Sequence, residues 1–112
     1  MSDVLKPVID QLKAYNSRDI DQFMMNFSED CVLEDAEGNL LMAGYEDMYA
    51  SYKKMFEASP DLHCLLASRV VVGNYILDEE RVTGRNGDPN ELHVVAAYRV
   101  EGEKIVHVRF FR

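Results

Sequence analysis

The sequence has no tryptophan, only two cysteines and three prolines among its 112 residues, and no long apolar run. No segment approaches the roughly 18 apolar residues that a membrane-spanning helix needs, so a membrane protein is not expected. The amino terminus has no basic stretch followed by an apolar run, so we predict no secretory signal and a cytoplasmic location. The chain also lacks linkers, repeats and low-complexity tracts, which indicates a single domain over residues 1–112.

Positive charge is scarce as well. The 12 Lys and Arg residues face 20 Asp and Glu residues, which gives a net charge of −8. Nucleic acids and anionic membranes are bound by clustered Lys and Arg side chains. The sequence offers no such cluster of useful size, so we expect neither nucleic acid nor membrane as a partner.

Several sequence signatures of metal, redox and nucleophilic chemistry are missing. Cys31 and Cys64 are far apart and lack Cys-x-x-Cys spacing. In a cytosolic protein we interpret them as buried, reduced thiols, with a disulfide or a metal site as the alternative. The three histidines show no ligand spacing, and no phosphate-binding glycine loop or serine nucleophile motif is present, so no metal or other cofactor is expected. The histidines are His63, His93 and His107.

The first half of the chain has helical periodicity. A first helix is predicted to become regular at Pro7, because proline is well tolerated at the first helical position. Asp19 is predicted to cap a short second helix whose apolar positions are Ile20, Phe23, Met24 and Phe27. Gly44 precedes a third helix with an apolar face made of Tyr45, Met48, Tyr49, Tyr52, Met55 and Phe56.

The remaining chain has the pattern of strands. A short strand over 31–35 ends at a turn, and four more are predicted at about 62–72, 75–85, 91–100 and 103–111. The breaks between them suit hairpins, which predicts an antiparallel meander. Helices followed by strands, rather than alternating with them, indicate an α+β fold.

Both faces of the last two strands carry apolar residues. On one strand, Ala96 and Tyr98 lie on one face, and Val95 and Ala97 lie on the other. A half-exposed antiparallel sheet normally alternates apolar and polar residues. We expect the helices to cover one face and a second copy of the chain to cover part of the other. The sequence therefore predicts a homodimer.

Asp35 is the candidate catalytic residue. It follows Cys31 and Leu33 on the same face of the first strand, so it points into the core if that face does. Burial there raises the pKa of a carboxyl group and suits it to general-base catalysis. The alternative is a solvated turn residue before Gly38, which is a common role for Asp.

Other residues are candidates for the wall of a pocket. The predicted core has tyrosine hydroxyls in or beside it, and each needs a hydrogen-bond partner or a ligand oxygen; they belong to Tyr15, Tyr49, Tyr52 and Tyr98. The aromatic and methionine stripe of the third helix is interpreted first as core. The charged run of residues 78–81 is interpreted as a solvated stretch of strand.

The segments 12–21 and 27–35, followed by Gly44, resemble the nuclear transport factor 2-like superfamily, and so do Val82–Gly84 and Ile105–Phe110. The branch that is most similar contains the ketosteroid isomerases and the SnoaL-like polyketide cyclases. The resemblance covers nearly the whole chain. It implies a cystatin-like, cone-shaped roll in which a strongly curved antiparallel (mixed) sheet wraps around three amino-terminal helices, with a ligand pocket inside.

The resemblance also implies roles for individual residues. Asp35 matches the general base of the isomerases, and Tyr52 matches a tyrosine that supports their oxyanion-binding tyrosine. The sequence departs from the isomerases at both oxyanion donors, having Gln11 in place of the tyrosine and Ala96 in place of the protonated aspartic acid. The candidates for substitute oxyanion donors are Gln11, Tyr15, Tyr52 and Tyr98. The remaining predicted pocket lining is Met48, Ala96, Val108 and Phe110.

Two classes of function follow. One is a cofactor-independent isomerase, cyclase or dehydratase that acts on a small, mostly apolar carbonyl compound, with Asp35 as the base. The other is a non-catalytic homodimeric module that binds a small apolar molecule or serves as an accessory subunit. The missing oxyanion donors favour the second class, because loss of one such donor commonly costs 10²–10³ in rate.

Overall fold

The computed structural model describes residues 3–112, which form three helices, six strands and one short 3-10 turn. The helices are α1 (Leu5–Ser17), α2 (Ile20–Met24) and α3 (Tyr45–Glu57), and the 3-10 turn is Arg85–Gly87. The strands are β1 (Phe27–Asp35), β2 (Leu40–Ala43), β3 (His63–Val72), β4 (Tyr75–Thr83), β5 (Leu92–Glu101) and β6 (Lys104–Phe111). The predicted α+β class is confirmed.

Helix α1 begins two residues earlier than predicted. The Asp3 carboxylate accepts a hydrogen bond from the Leu5 amide at 3.0 Å, which supplies one partner for the free N–H groups of the first turn. Pro7 lies within that turn, where its missing N–H has no cost. The helix ends at Ser17 because Arg18 adopts the left-handed conformation with φ 53°.

Helix α2 is shorter than predicted. Asp19 caps it as expected, accepting a hydrogen bond from the Gln22 amide at 3.2 Å. The prediction that Phe27 continues this helix is wrong, because α2 ends at Met24 and Phe27 opens β1 opposite Ile105. The Phe23 and Phe27 rings nevertheless pack together, with centroids 4.9 Å apart.

The six strands form one mixed sheet in the order β2-β1-β6-β5-β4-β3. The predicted antiparallel meander of β3 to β6 is confirmed, and β1 joins it by pairing parallel to β6. The edge strand β2 was not predicted, since its four residues give too short a pattern. Register shifts interrupt the pairing within β1, β3 and β5, and such irregularities bend a sheet.

The curved sheet and the helices enclose one apolar core. Its largest fully buried side chains include Phe23, Met24, Leu33, Met48, Ile76 and Ile105. Cys31 and Cys64 are buried and free, as predicted. Within the described residues 3–112, no helix is long and apolar enough to span a bilayer.

Candidate functional site

A cavity of about 70 Å³ lies between the helices and the inner face of the sheet. Its wall is mainly apolar and includes residues from α1, α2, α3 and all six strands. The polar side chains on the wall are Gln11, Tyr15, Tyr52, Cys64, Glu80, Arg85, Tyr98 and Arg112. The cavity is about half the size of an engineered cavity that holds benzene, so only a group of a few carbon atoms fits its present volume.

Strand β4 brings two carboxyl groups into the interior. Along this strand Ile76, Asp78, Glu80 and Val82 are buried, whereas the residues between them are half-buried. The strand period of two therefore places Asp78 and Glu80 on the same inner face as two core residues. The interpretation of residues 78–81 as a solvated stretch is wrong for these two.

Asp78 is paired with an arginine. Its side chain is fully buried, and it accepts two hydrogen bonds from Arg69 on the neighbouring strand, at 2.7 Å from Nε and 3.0 Å from the second guanidinium nitrogen. A two-point contact of this kind is the strongest arrangement between these groups. The buried charge of Asp78 is therefore compensated within the sheet.

Glu80 has no such partner, although it is only 6% exposed. Within residues 3–112, no N–H or O–H group donates a hydrogen bond to its carboxylate. Burial, and to a lesser degree the negative charge of Asp78, raise its pKa to about 7, while the Cys64 thiol and Arg69 act in the opposite direction. Glu80 is thus a carboxyl group on the cavity wall that exchanges its proton near neutral pH.

Gln11 and Tyr98 form a hydrogen-bonded pair at the cavity. Gln11 is 4% exposed, and its Nε2 donates to the Val8 carbonyl and to the Tyr98 hydroxyl, both at 3.1 Å. Because the Tyr98 oxygen is the acceptor, its own hydrogen is free to be donated elsewhere. Burial holds the pKa of Tyr98 well above its usual value, with the charge of Glu80 as a further cause. Tyr98 therefore remains a donor across the physiological pH range.

Tyr15 and Tyr52 complete the polar part of the wall. Burial raises the pKa of both hydroxyls, and the positive charge of Arg85 partly offsets this. Their rings are fixed by aromatic packing: Tyr15 meets Phe56 edge to face at 5.6 Å, and Tyr52 meets Phe23 at 4.6 Å. Both hydroxyls are therefore protonated donors on rigid supports.

The structure brings most of the predicted pocket residues together. Gln11, the three tyrosines, Val108 and Phe110 all lie on the cavity wall. Met48 and Ala96 are fully buried in the core but do not line the cavity. Ala96 is opposite Asp78 in the pairing of β4 with β5, so the Asp78 carboxyl group lies on the strand next to Ala96.

Asp35 does not lie on the cavity wall, so the expectation that it points into an apolar hollow is wrong. Its carboxylate accepts hydrogen bonds at 2.9 to 3.0 Å from the Glu37 amide and from the amide and side chain of Asn39. The Asn39 side chain is the largest cause that lowers the pKa of Asp35. Asp35 thus serves as the turn residue between β1 and β2.

The histidines lie outside the cavity wall. His63 and His93 are exposed, and His107 is half-buried. His93 contacts Glu79 at 2.7 Å, and His107 contacts Glu34. Among residues 3–112, no group of three or more His, Cys, Asp and Glu side chains is placed to hold a metal ion.

The fold and the interior cavity define a class of proteins, the NTF2-like or cystatin-like folds. The model of the SnoaL-like domain family matches residues 8–108. The chain therefore belongs to the SnoaL-like domain family. No curated protein matches this sequence significantly.

Solved structures agree in fold over nearly the whole chain. An uncharacterised cystatin-fold protein from Novosphingobium aromaticivorans is 29% identical with a TM-score of 0.89, covering 100% of this chain and 99% of its own. An NTF2-like protein of unknown function from Cytophaga hutchinsonii is 14% identical (TM-score 0.81; 98% and 89% covered). A hypothetical protein with a ketosteroid isomerase-like fold from Catenulispora acidiphila, in complex with trimethylamine, is 18% identical (TM-score 0.77; 96% and 85%).

Proposed function

We propose that this protein is a cofactor-independent enzyme that moves a proton next to the carbonyl group of a small, mostly apolar compound, with Glu80 as the base. The observation that supports this proposal is the Glu80 carboxyl group on the wall of an apolar cavity, where no N–H or O–H group of residues 3–112 donates to it and its pKa is raised to about 7. A general base is most effective when its pKa is near the working pH. Glu80 meets this condition, and Asp35, with its lowered pKa, does not.

The proposed reaction uses two groups of the wall. The Glu80 carboxylate removes a proton from the carbon beside the carbonyl, and the C–H electron pair becomes the carbon–carbon double bond of an enolate. Tyr98 donates its free hydroxyl hydrogen to the enolate oxygen, while Gln11 holds the tyrosine oxygen from the other side. Protonated Glu80 then returns the proton to the same carbon or, where the substrate has a β,γ carbon–carbon double bond, to the γ carbon of the dienolate, so the enzyme ends as it began.

The cavity volume limits the substrate. A cavity of about 70 Å³ does not hold a steroid nucleus or a fused polyketide ring without movement of the wall. Met42 and Met55 on that wall are flexible side chains, so modest expansion is possible. A compact ketone or aldehyde fits the site better than the large substrates that the family resemblance suggests.

Hydrogen–deuterium exchange tests the proposal without knowledge of the natural substrate. Acetone in D₂O serves as the probe, because its three carbon atoms fit the cavity, and NMR follows loss of the protons beside its carbonyl, after binding has been measured by chemical-shift changes of cavity residues. We expect the wild-type protein to accelerate exchange over buffer and Glu80→Gln to lose about 10²–10⁴-fold of that acceleration.

Two variants are matched controls. Glu79 is the adjacent carboxylate on the outer face, where Ser68 and His93 contact it, and Asp35 is the turn carboxylate. Glu79→Gln and Asp35→Asn are each expected to exchange acetone at the wild-type rate. Equal rates for wild type and Glu80→Gln, or loss of exchange in Asp35→Asn, would overturn the role of Glu80.

A binding module without catalysis is the second candidate, favoured by the small cavity volume. It predicts that acetone binds to the wild-type protein and yet exchanges its protons no faster than in buffer. That result would overturn the enzyme proposal and support the module.

We also propose that the protein forms a homodimer through the outer face of its sheet. Strand pairing with β4 and β5 places several apolar side chains of β3, β5 and β6 on the outer face of the sheet. These are Leu65, Val70, Val72, Val95 and Phe111, four of them large and exposed. Sedimentation equilibrium is expected to give a dimer that Val70→Lys dissociates, and a wild-type monomer at high micromolar concentration would contradict it.

A further inference from the structure

We infer that the ligand of this cavity carries a carboxylate, which Arg85 and Arg112 bind at the cavity's edge while the apolar part enters the interior. This inference rests on the proposed function, since it names the substrate class for the same cavity. Both arginines line the cavity. Its remaining wall is apolar except for neutral donors and Glu80.

Among the arginines of residues 3–112, Arg18, Arg85 and Arg112 have no carboxylate partner, and Arg18 instead donates to the backbone carbonyls of Asn16 and Leu62. Four of the seven arginines are in ion pairs, namely Arg69, Arg81, Arg99 and Arg109. Among residues 3–112, neither Arg85 nor Arg112 has a carboxylate within salt-bridge distance, although the protein has 20 acidic residues. Two free guanidinium groups on one cavity suit an anion, because guanidinium recognises carboxylates with paired hydrogen bonds.

The position of Arg85 is fixed by the backbone around it. Gly84 turns the chain with φ 77°, and any larger residue there would place its Cβ 2.4 Å from the Asp61 carbonyl oxygen. The buried Ser59 hydroxyl accepts a hydrogen bond from the Asn86 amide at 2.7 Å. These contacts hold the 3-10 turn against the segment after α3, so Arg85 is presented to the cavity from a rigid support.

Arg112 reaches the same wall directly after β6. Its guanidinium lies over the Phe110 ring, 5.7 Å from the centroid, and this cation–π contact orients it. The positive charges of both arginines act on the Tyr52 hydroxyl. An anion between the two guanidinium groups would therefore lie close to the tyrosine end of the cavity.

Glu80 and Arg85 line the same cavity, and they are separated along the chain by the end of β4 and the turn at Gly84. Strand β4 ends at Thr83, three residues beyond Glu80, and a strand rises about 3.3 Å per residue, or roughly 10 Å over that distance. A short apolar chain spans such a gap. The ligand class is thus a small keto acid whose carbonyl end approaches Glu80.

Hexanoate and hexanamide test the inference, since they share one apolar chain and differ in the charge of the head group. Binding is measured at neutral pH by NMR titration of the ¹⁵N-labelled protein. We expect hexanoate to bind the wild type at least about tenfold more tightly than hexanamide, which corresponds to about 1.4 kcal/mol. Arg85→Gln should remove most of this preference and Arg112→Gln part of it, with hexanamide binding unchanged in both.

Arg81→Gln is the matched control, because Arg81 is on the outer face and pairs with Glu91; it should keep the wild-type preference. Equal binding of hexanoate and hexanamide, or an unchanged preference in Arg85→Gln, would overturn the inference. The two proposals fail separately. Loss of the carboxylate preference with intact acetone exchange contradicts only the anion site, and intact preference without exchange contradicts only the proton transfer.

Discussion

The β1–β2 turn and the inner face of β4 each present a carboxyl group, and the two groups have opposite environments. Asp35 in the turn accepts three hydrogen bonds, which favour its charged form and lower its pKa. Glu80 on β4 accepts none from an N–H or O–H group of residues 3–112, and burial beside Asp78 raises its pKa to about 7. Hydrogen-bond donors, more than sequence position, thus decide which carboxyl group is suited to proton transfer.

The largest expected loss of stability comes from breaking the buried ion pair between Arg69 and Asp78. Asp78→Asn leaves the Arg69 guanidinium without its compensating charge, and breaking a buried pair in this way costs about 3–5 kcal/mol. Urea denaturation measures the loss in the free energy of unfolding. Glu91→Gln breaks the exposed pair with Arg81 and should cost less than about 1 kcal/mol. Similar losses in the two variants would show that the Arg69–Asp78 pair is not effectively buried.

The next effect concerns Glu80 and depends on pH. Because the folded protein raises the pKa of Glu80 from 4.5 to about 7, it binds the proton more tightly than the unfolded chain does. Stability therefore falls as the pH rises through this interval. Glu80→Gln removes the penalty, so at pH 8 it should be more stable than wild type by on the order of 3 kcal/mol.

Near pH 4 the stabilities of wild type and Glu80→Gln should converge, because Glu80 is then neutral in both states. Urea denaturation across this pH range provides the measurement. A Glu80→Gln variant that is less stable than wild type at pH 8 would contradict our description of Glu80 as a buried carboxyl group without an N–H or O–H donor.

The smallest effect on stability is expected at Asp35 in the β1–β2 turn. Asp35→Asn keeps an oxygen acceptor but loses the charge that strengthens the three hydrogen bonds, so stability should fall slightly at neutral pH. Because the pKa of Asp35 is lowered, its contribution is present above pH 3.8 and is lost as the pH falls through the folded-state pKa. The difference between wild type and Asp35→Asn should therefore vanish in acid. A gain in stability in Asp35→Asn would contradict these hydrogen bonds and indicate a buried carboxyl group without donors, as we assign to Glu80.

Much of the fold was predictable because it follows from local patterns. The Asp19 cap, the three helices and the hairpin breaks each have a signature within a few residues. Phe27 was assigned wrongly because its spacing from Phe23 suits a helix, whereas its pairing with Ile105 depends on a partner far along the chain. No local signal reports that parallel pairing.

The site was less predictable. The alternation of Ile76, Asp78, Glu80 and Val82 would have placed both acids inside, but a run of four charged residues has the hydropathy of a solvated stretch. Asp35 does follow two inward-facing residues of β1, as the sequence indicates. Its role changes because Asn39 and the turn amides bind its carboxylate, and those contacts form only when the turn folds.

The proposed function depends on the raised pKa of Glu80, which a ¹³C NMR titration of the side-chain carboxyl groups measures. Uniformly labelled protein gives the Glu80 and Asp35 signals, which Glu80→Gln and Asp35→Asn assign. We expect a Glu80 midpoint near 7 and an Asp35 midpoint below its ordinary value of 3.8. A Glu80 midpoint near 4.5 would contradict it.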